Sequence, residues 1–327
     1  MLQLLSRRVC FALMSFCLLA QGAQAQTFPS RPITIVVPFA PGGPTDVIAR
    51  TLAAHMTQSL GQTVLVENVT GANGNIGVSK VARAAPDGHT LSIGHWSTHV
   101  VNGAVYPLQF DLLKDFEPLG LISSNAYLLV AKNSVPYSDL NGMMTWLRAN
   151  PDKAFEGTAG AGSPQHVAGV FFQKATGTRF QFVPYKGAAP AMQALMAGEV
   201  DLIIDDPTSA LPQIRAGRIK VFAVTAKQRL AAAPDIPTVD EAGLPGFYFS
   251  RWHALWAPKG TPKEIVAKLN GALVLALSDT FVRGKLGNLG QEIYPKEQQT
   301  PEVLGAVHKA EIEKWWPIIK AAGIKAE

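Results

Sequence analysis

The chain has 327 residues, of which 47% are hydrophobic and 16% are charged, and its formal net charge is +5. This composition excludes an intrinsically disordered or collagen-like protein, and the length is enough for two domains or one large domain with a sizeable core. Lysine and arginine are scattered along the chain without a basic cluster, so we expect no nucleic-acid partner.

The first 25 residues have the pattern of a secretory signal peptide. A basic start, Arg7-Arg8, precedes the apolar run Val9–Ala20, and the small-residue site Ala23–Ala25 follows. The run has 12 residues, which is too short to span a bilayer, so an uncleaved membrane anchor is the less favoured alternative. Cleavage after Ala25 predicts a periplasmic chain of 302 residues, with 27 basic and 24 acidic residues and a net charge of +3. Both cysteines precede the cleavage site, which excludes disulfides and thiol catalysis in the mature chain.

The elements predicted next alternate short β-branched runs with helical patterns, which favours parallel strands covered by helices. In chain order they are strand 33–39, helix 45–60, strand 63–68, helix 76–84 and strand 90–95. The pattern begins again with strand 126–132, helix 138–149, strand 155–159, helix 164–176, strand 180–185, helix 188–197, strand 201–205, helix 208–216 and strand 220–225. A proline-rich segment leads to long helices at 261–278 and 300–322.

The organisation of these elements predicts an α/β fold of two lobes with mostly parallel, doubly wound sheets. The last helices need a sheet to pack on, and we expect them to return to the first unit. Residues 26–125 plus 226–327 then form a discontinuous domain 1, and residues 126–225 form domain 2. The chain would cross between the lobes near residues 125 and 225, which predicts a hinge and a ligand cleft between the lobes.

Three strand-to-helix loops share one construction, in which an apolar strand leads into glycine and proline lies in or near the first helical turn. They are Pro38–Asp46, Gly160–His166 and Pro184–Pro190. Glycine allows a close backbone approach, and proline gives up only an N–H that has no intrahelical partner. The other first-turn N–H groups and the positive helix end bind anions. These loops therefore predict a carboxylate site at the carboxyl ends of the strands.

Other polar segments are expected near the same cleft. Ser97 follows the third strand and could supply a hydroxyl group to a ligand. Asp205 or Asp206 would suit an ammonium or hydroxyl group of the ligand; the equally weighted alternative is a cap for the next helix or a solvated loop. The loop 71–77 is either a further ligand loop or a turn that packs against the lobe.

Catalytic and metal-binding patterns do not occur in the sequence. Ser163 lacks the flanking glycines of a nucleophile elbow, and no zinc-binding H-E-x-x-H motif occurs. His95 and His99 follow a strand, where an i, i+4 spacing does not align two rings. Asp205 and Asp206 are adjacent on a strand and point to opposite faces. We expect no enzyme, no metal and no cofactor; a secreted hydrolase or lyase using the same cleft is the alternative, and a sensor docking on a signalling partner is a third.

The loops and several later segments resemble those of the periplasmic solute receptors of tripartite tricarboxylate transporters, also called Bug receptors. The resemblance covers nearly all of the mature chain. It is carried by Pro38–Asp46 with Arg50, Gly71–Gly77, Pro86–Gly88, Gly160–Ser163 with His166, Pro184–Gly187, Leu230–Ala242, and Trp252 with Ala257–Pro262.

This resemblance implies a Venus-flytrap receptor of two α/β lobes that closes on a small carboxylated organic solute and delivers it to a membrane permease. It also implies that backbone amides and ordered waters in the first two loops hold one carboxylate, while side-chain specificity is set deeper in the cleft. We expect a monomer without a cofactor. The residues expected to contact the ligand are Phe39, Gly42, Gly43, Thr45, Asp46, Ser97, Ala161, Gly162, Ser163, His166, Tyr185, Lys186, Asp205 and Asp206.

Overall fold

The structure, a computed structural model, describes residues 28–325, so the predicted signal peptide with its cysteines lies outside the described residues. The described chain forms two β-sheets covered by helices. Its strands are β1 (Ile33–Val37), β2 (Val64–Asn68), β3 (Thr90–His95), β4 (Phe116–Ala126), β5 (Leu128–Lys132), β6 (Phe155–Thr158), β7 (Gln181–Pro184), β8 (Leu202–Asp205), β9 (Ile219–Val224), β10 (Ser250–Pro258) and β11 (Glu292–Ile293).

The helices follow the predicted pattern closely. Short helical turns at Ala72–Gly74, Ser97–Val101 and Lys296–Gln298 supplement them. The α-helices are α1 (Pro44–Leu60), α2 (Asn75–Ala82), α3 (Asn102–Val105), α4 (Leu140–Ala149), α5 (Pro164–Thr176), α6 (Ala188–Ala197), α7 (Pro207–Arg215), α8 (Lys263–Ser278), α9 (Thr280–Asn288) and α10 (Pro301–Ala321).

Both sheets are mixed, and in each of them strands of one direction predominate. The six-stranded sheet has the order β11-β4-β10-β3-β1-β2, in which β10 is antiparallel to both of its neighbours and β11 is antiparallel to β4. The five-stranded sheet has the order β7-β6-β8-β5-β9, and β5 is antiparallel to β8 and β9. The predicted α/β fold with two lobes is confirmed.

Strands β4 and β10 are neighbours in the interior of the six-stranded sheet and are not predicted from the sequence. β4 contains Pro118 and Gly120, which weaken a strand pattern, and most of β10 is buried, so neither strand shows a regular alternation of apolar and polar residues. β10 pairs with β4 along its whole length, with two register shifts. The carboxyl-terminal part of the chain thereby supplies a strand to the first sheet.

The chain passes between the two sheets at two adjacent points. The first passage is at Tyr127, between β4 and β5, and the second lies between β9 and β10. Tyr127 and Thr225 exchange backbone and side-chain hydrogen bonds of 2.8–2.9 Å, and the Thr225 hydroxyl also donates to the carbonyl of Phe249 at 2.7 Å. The two passages are therefore tied together.

Helix α1 is held in place by its apolar face. Ile48, Leu52 and Met56 have the predicted helical spacing, and all three are buried in one cluster with β1 and α8. Burial of a large aliphatic side chain stabilises the fold by about 1.5–3 kcal/mol. This packing fixes the amino-terminal end of α1 against the sheet, where the first glycine loop lies.

Within residues 28–325, no individual helix has both the length and the apolar character to cross a membrane; α8 and α9 meet these criteria only when joined, with a bend of 69° between them.

Candidate functional site

Three helices begin at one small chamber between the two sheets. α1 begins after Gly43, α5 after Ser163 and α6 after Gly187, so the three loops predicted from the sequence meet there. The chamber has a volume of about 20 Å³, which is room for about one water molecule. Its lining is Phe39, Gly43, Pro44, Thr45, His95, Ala159, Pro164, Gln165, Ala188 and Arg251.

Two of these three helix ends have no side-chain cap. Gly43 and Gly187 precede α1 and α6, and glycine has no side chain to accept from the first-turn N–H groups. Ser163 caps α5 by accepting a hydrogen bond from the His166 N–H at 3.3 Å. Uncapped first-turn N–H groups and the positive end of the helix dipole attract an anion. The chamber therefore presents such a helix end from each sheet.

A larger cavity of about 270 Å³ adjoins the chamber at Phe39 and Ala159, which line both spaces. This volume suits a small organic molecule rather than a drug-sized one. The rest of its lining includes the predicted residues Ala161, Tyr185 and Lys186 and part of the 71–77 loop; the full set is Pro38, Phe39, Gly71, Ala72, Asn73, Gly74, Tyr106, Ala159, Gly160, Ala161, Pro184, Tyr185 and Lys186.

Direct contacts close the cleft between the loops of the two sheets. The Tyr106 hydroxyl donates to the carbonyl of Ala161 at 2.7 Å, and the Ala40 N–H donates to the carbonyl of Lys186 at 3.3 Å. A Cβ atom at Gly187 would lie 3.3 Å from the Ala40 nitrogen, and the φ of Gly187 is 145°. Glycine at this position therefore permits the close approach of the two loops.

His95 forms one wall of the chamber as a neutral hydrogen-bond donor. Its ring stacks on Phe39, with a centroid separation of 5.0 Å and an interplanar angle of 6°. Nδ1 accepts from the Ser97 N–H at 3.1 Å, which leaves the ring proton on Nε2. Burial, together with the charge of Arg251, lowers the pKa of His95 well below its usual value, so the ring carries no charge.

Arg251 and Asp206 form a buried ion pair beside the chamber, and this pair joins the two sheets. Nε and Nη2 of Arg251 lie 3.1 and 2.6 Å from Oδ2 of Asp206. Asp206 also accepts from the Thr208 N–H at 2.7 Å, so it caps α7, which is one of the roles predicted for it from the sequence. Two of the five N–H groups of Arg251 are bound to Asp206, and Arg251 lines the chamber.

Asp205 and Gln165 form a second buried pair. The Gln165 Nε2 donates to Oδ1 of Asp205 at 3.0 Å. Burial, and then the neighbouring charge of Asp206, raise the pKa of Asp205 to about 7. Oδ2 of Asp205 and Oε1 of Gln165 have no hydrogen-bond partner within residues 28–325. Gln165 lines the chamber, whereas Asp205 lies behind it.

Asp46 holds the first loop in shape from behind the lining. Its carboxylate accepts from the Gly42 N–H, the Asn68 amide and Nε of Arg50, each at 2.9 Å. Burial raises the pKa of Asp46, but these hydrogen bonds outweigh burial and the pKa is lowered. Neither Asp46 nor Gly42 lines the chamber or the larger cavity.

Four further predicted residues also lie behind the lining. The Ser97 hydroxyl accepts from Nδ2 of Asn73 at 2.9 Å, Ser163 caps α5, and Nδ1 of His166 accepts from the Gly162 N–H at 3.0 Å. These bonds fix the loops that carry the site. Direct ligand contact by these residues stays a prediction.

Arg251 and Gln165 are the main residues that sequence reasoning misses. Arg251 is a single charged residue in the mostly apolar segment 249–258, and an isolated charge in a buried strand is a signal that could have been used. Gln165 lies within a predicted loop, but nothing in its local sequence marks it as pointing into the cleft.

The geometry does not assemble a catalytic group. Thr45 Oγ1 lies 3.3 Å from Nε2 of His253, which is the arrangement of a hydroxyl and a base. Nδ1 of His253 has no partner within the described residues, and burial lowers the pKa of His253 well below its usual value. No carboxylate therefore orients this ring as in a nucleophile–base–acid triad. The described residues contain no group of three His, Cys, Asp or Glu side chains placed to hold a metal ion.

The family model described as "Tripartite tricarboxylate transporter family receptor" matches residues 48–324. The periplasmic binding protein BugD superposes with a TM-score of 0.88 and is 38% identical, over 92% of this chain and all of that one. MatC from Rhodopseudomonas palustris, solved with bound malate, has a TM-score of 0.85 and 40% identity over 89% of this chain and all of that one. An R. palustris protein solved with adipate has a TM-score of 0.86 and 35% identity, over 92% of this chain and all of that one.

Proposed function

The chain belongs to the tripartite tricarboxylate transporter receptor family, and we propose that it closes its two lobes on a small organic carboxylate and delivers it to the membrane permease of such a transporter. It is a solute-binding receptor and not an enzyme. The malate and adipate of two similar structures are both dicarboxylates, which supports this ligand class. The signal-peptide pattern of the first 25 residues supports a periplasmic location.

The observation that carries the proposal is the convergence of uncapped helix ends from both sheets. Each helix end stabilises a nearby anion by about 0.3–1 kcal/mol at an exposed site, and by up to about 2 kcal/mol at a partly buried one. Arg251 lines the chamber and adds charged N–H donors beyond the two that are bound to Asp206. A carboxylate at the mouth of the chamber, between Gly43 and Ala188, would receive N–H groups from both lobes. Closure and binding would then stabilise each other.

The rest of the solute would extend past Phe39 and Ala159 into the larger cavity. That cavity is lined mostly by glycine, alanine and proline residues of the loops and by three aromatic residues, Phe39, Tyr106 and Tyr185. Such a lining accommodates carbon chains of different length and lacks a fixed partner for a second charged group except Lys186. We therefore expect the carboxylate end to be recognised more strictly than the distal end.

The lobes of this receptor would be residues 26–125 with 226–327 and residues 126–225. The hinge would lie at the passages near Tyr127 and Thr225, whose hydrogen bonds tie the two connections together. We expect a monomer in solution. Small-angle X-ray scattering with and without solute tests closure, because a hinge motion reduces the radius of gyration without changing the mass.

A thermal-shift screen followed by calorimetry over mono- and dicarboxylates tests the ligand class. Wild-type protein that is stabilised by no carboxylate would refute the proposal. Gly43→Leu is the site variant, since the φ of Gly43 is −78° and an added Cβ would lie 3.7 Å from the Ala40 carbonyl oxygen and 3.8 Å from the Ala189 nitrogen. The fold then tolerates the substitution while the larger side chain fills the mouth of the chamber. Overpacking costs about 1–3 kcal/mol, so we expect affinity to fall by at least about fivefold.

Gly271→Leu is the matched control for this variant. Gly271 is exposed on α8, and an added Cβ there would meet no atom within 4 Å. The Gly271→Leu protein should bind the solute with the affinity of the wild type. Gly162 is unsuitable as a site variant because its φ is 74°, so a side chain there would strain the backbone and confuse folding with binding. Unchanged affinity in a folded Gly43→Leu protein would contradict the proposed position of the carboxylate.

A further inference from the structure

Gln165 presents a buried hydrogen-bond acceptor to the chamber. Its side chain is on the first turn of α5 and is 2% exposed. The bond from Nε2 to Oδ1 of Asp205 fixes which end of the amide faces the carboxylate. Oε1 therefore faces away from Asp205, and it has no partner within residues 28–325. A buried acceptor without a donor costs about 1–3 kcal/mol, so a donor from a bound molecule would be favourable here.

The other polar groups of the chamber are mainly donors. They are Nε2–H of His95, the N–H groups of Arg251 beyond those bound to Asp206, and the helix-end amides. The Thr45 hydroxyl also lines the chamber and is paired with Nε2 of His253 at 3.3 Å. A group that enters this chamber has to accept from these donors and donate to Gln165 Oε1. A carboxylate oxygen only accepts hydrogen bonds, so its lone pairs would face those of Oε1 and repel them. A hydroxyl group can accept from the donors and also donate to Oε1.

The size of the chamber agrees with this chemistry. About 20 Å³ is room for one water-sized oxygen and not for a whole carboxylate. An ammonium group donates only, so it could not accept from Nε2–H of His95 or from the N–H groups of Arg251 on the same lining. The neutral hydroxyl is therefore the donor that fits.

We propose that the solute is a hydroxycarboxylate whose hydroxyl group, on the carbon next to the carboxylate, enters the chamber and donates a hydrogen bond to Oε1 of Gln165. This inference rests on the proposed function, because it takes the carboxylate to lie at the mouth of the chamber. Gln165, on the first turn of α5, is then the residue that distinguishes hydroxylated from unsubstituted acids.

The test is isothermal titration calorimetry with acids that differ only in the hydroxyl group: L- and D-malate against succinate, and lactate against propionate. Measurement at pH 8 keeps Asp205 ionised, because its pKa is raised to about 7 by burial and by Asp206, and this holds the Gln165 amide in place. We expect one malate enantiomer to bind the wild type about tenfold more tightly than succinate, which corresponds to about 1.4 kcal/mol.

Gln165→Met retains the length of the side chain and removes the acceptor. We expect the ratio of the affinity for malate to the affinity for succinate to fall from about tenfold to about twofold, while the affinity for succinate itself changes little. Gln173→Met is the matched control, since Gln173 is on the same helix and its amide donates to the carbonyl of Phe180 at 2.8 Å. This variant loses a similar bond away from the chamber and should keep the wild-type ratio.

The outcomes separate this inference from the proposed function. Equal affinity of wild-type protein for malate and succinate would overturn the hydroxyl subsite and leave carboxylate binding intact. Tighter binding of aspartate than of malate would also overturn it, in favour of an ammonium group. Absence of binding by any carboxylate would overturn both. A crystal structure of the malate complex is independent of variant folding: a hydroxyl oxygen about 2.5–3.0 Å from Oε1 supports the inference, and a water molecule in that place overturns it.

Discussion

Replacement of Arg251 by glutamine should lower both the stability and the affinity of the receptor, for two different reasons. Arg251 supplies the counter-charge of Asp206, whose side chain is fully buried, and it also lines the chamber. In Arg251→Gln the carboxylate of Asp206 keeps the Thr208 N–H at 2.7 Å and the Gln291 amide at 3.3 Å. It loses both of its charged donors.

The size of the stability effect follows from this burial. Breaking a buried ion pair by removing one partner costs about 3–5 kcal/mol, because the remaining charge is left uncompensated. At about 2–4 °C per kcal/mol for a chain of this size, the Tm should fall by about 6–20 °C. Asp206→Asn combined with Arg251→Gln removes both charges, and asparagine still caps a helix. The double variant should therefore recover most of the lost stability.

Affinity should not recover in the double variant, because the positive charge beside the chamber is missing from both proteins. The loss of one charge-assisted contact, about 1.5–3 kcal/mol, corresponds to a fall in affinity of about 10- to 150-fold. Circular dichroism melts and calorimetry with the best carboxylate of the screen measure the two effects. A double variant that binds like the wild type would refute the role of Arg251 in the site, and a stable single variant would refute the energetic account of the buried pair.

Two further predictions concern the neighbouring groups. Because the folded pKa of Asp205 is raised from 3.8 to about 7, its ionisation destabilises the folded state increasingly as pH rises between these values. The Tm of Asp205→Asn minus that of the wild type should therefore increase over this range and level off above it; a difference independent of pH in melts from pH 4 to 8 would contradict the raised pKa. Tyr106→Phe removes the hydroxyl that donates to the Ala161 carbonyl across the cleft, so solute affinity should fall by about 2- to 10-fold in calorimetry, with little change in the Tm of the solute-free protein. An unchanged affinity would show that this bond does not contribute to closure.

The sequence predicts the helices around the site well because their ends carry local signals. Proline and glycine mark the starts of α1 and α5 to within one residue, and the apolar spacing of α1 identifies its buried face. These signals depend only on residues close in the chain. The same signals indicate an anion site, since the helix end itself supplies the donors.

The sequence does not predict the parts of the site that depend on distant residues. Arg251 acquires its role only through Asp206, which is 45 residues away in the chain and directly follows β8 of the other sheet. Strand β10, which carries Arg251, is recognised only when β3 and β4 are known to pair with it on both sides. A charged side chain in such a strand has no local partner, so local patterns cannot distinguish a buried ion pair from a solvated charge.

The arrangement of the chamber separates general recognition from selective recognition. Each uncapped helix end can attract a carboxylate from the open cleft, because its N–H groups belong to the backbone of a single lobe. Selection by side chains needs both lobes at once: His95 and Arg251 come from β3 and β10 of one sheet, and Gln165 comes from α5 on the other. It follows that an unsubstituted acid and a hydroxylated acid differ little in first contact and differ mainly after closure. Their association rate constants should be similar, and the difference in affinity should appear in dissociation, which stopped-flow fluorescence of the native tryptophans can measure.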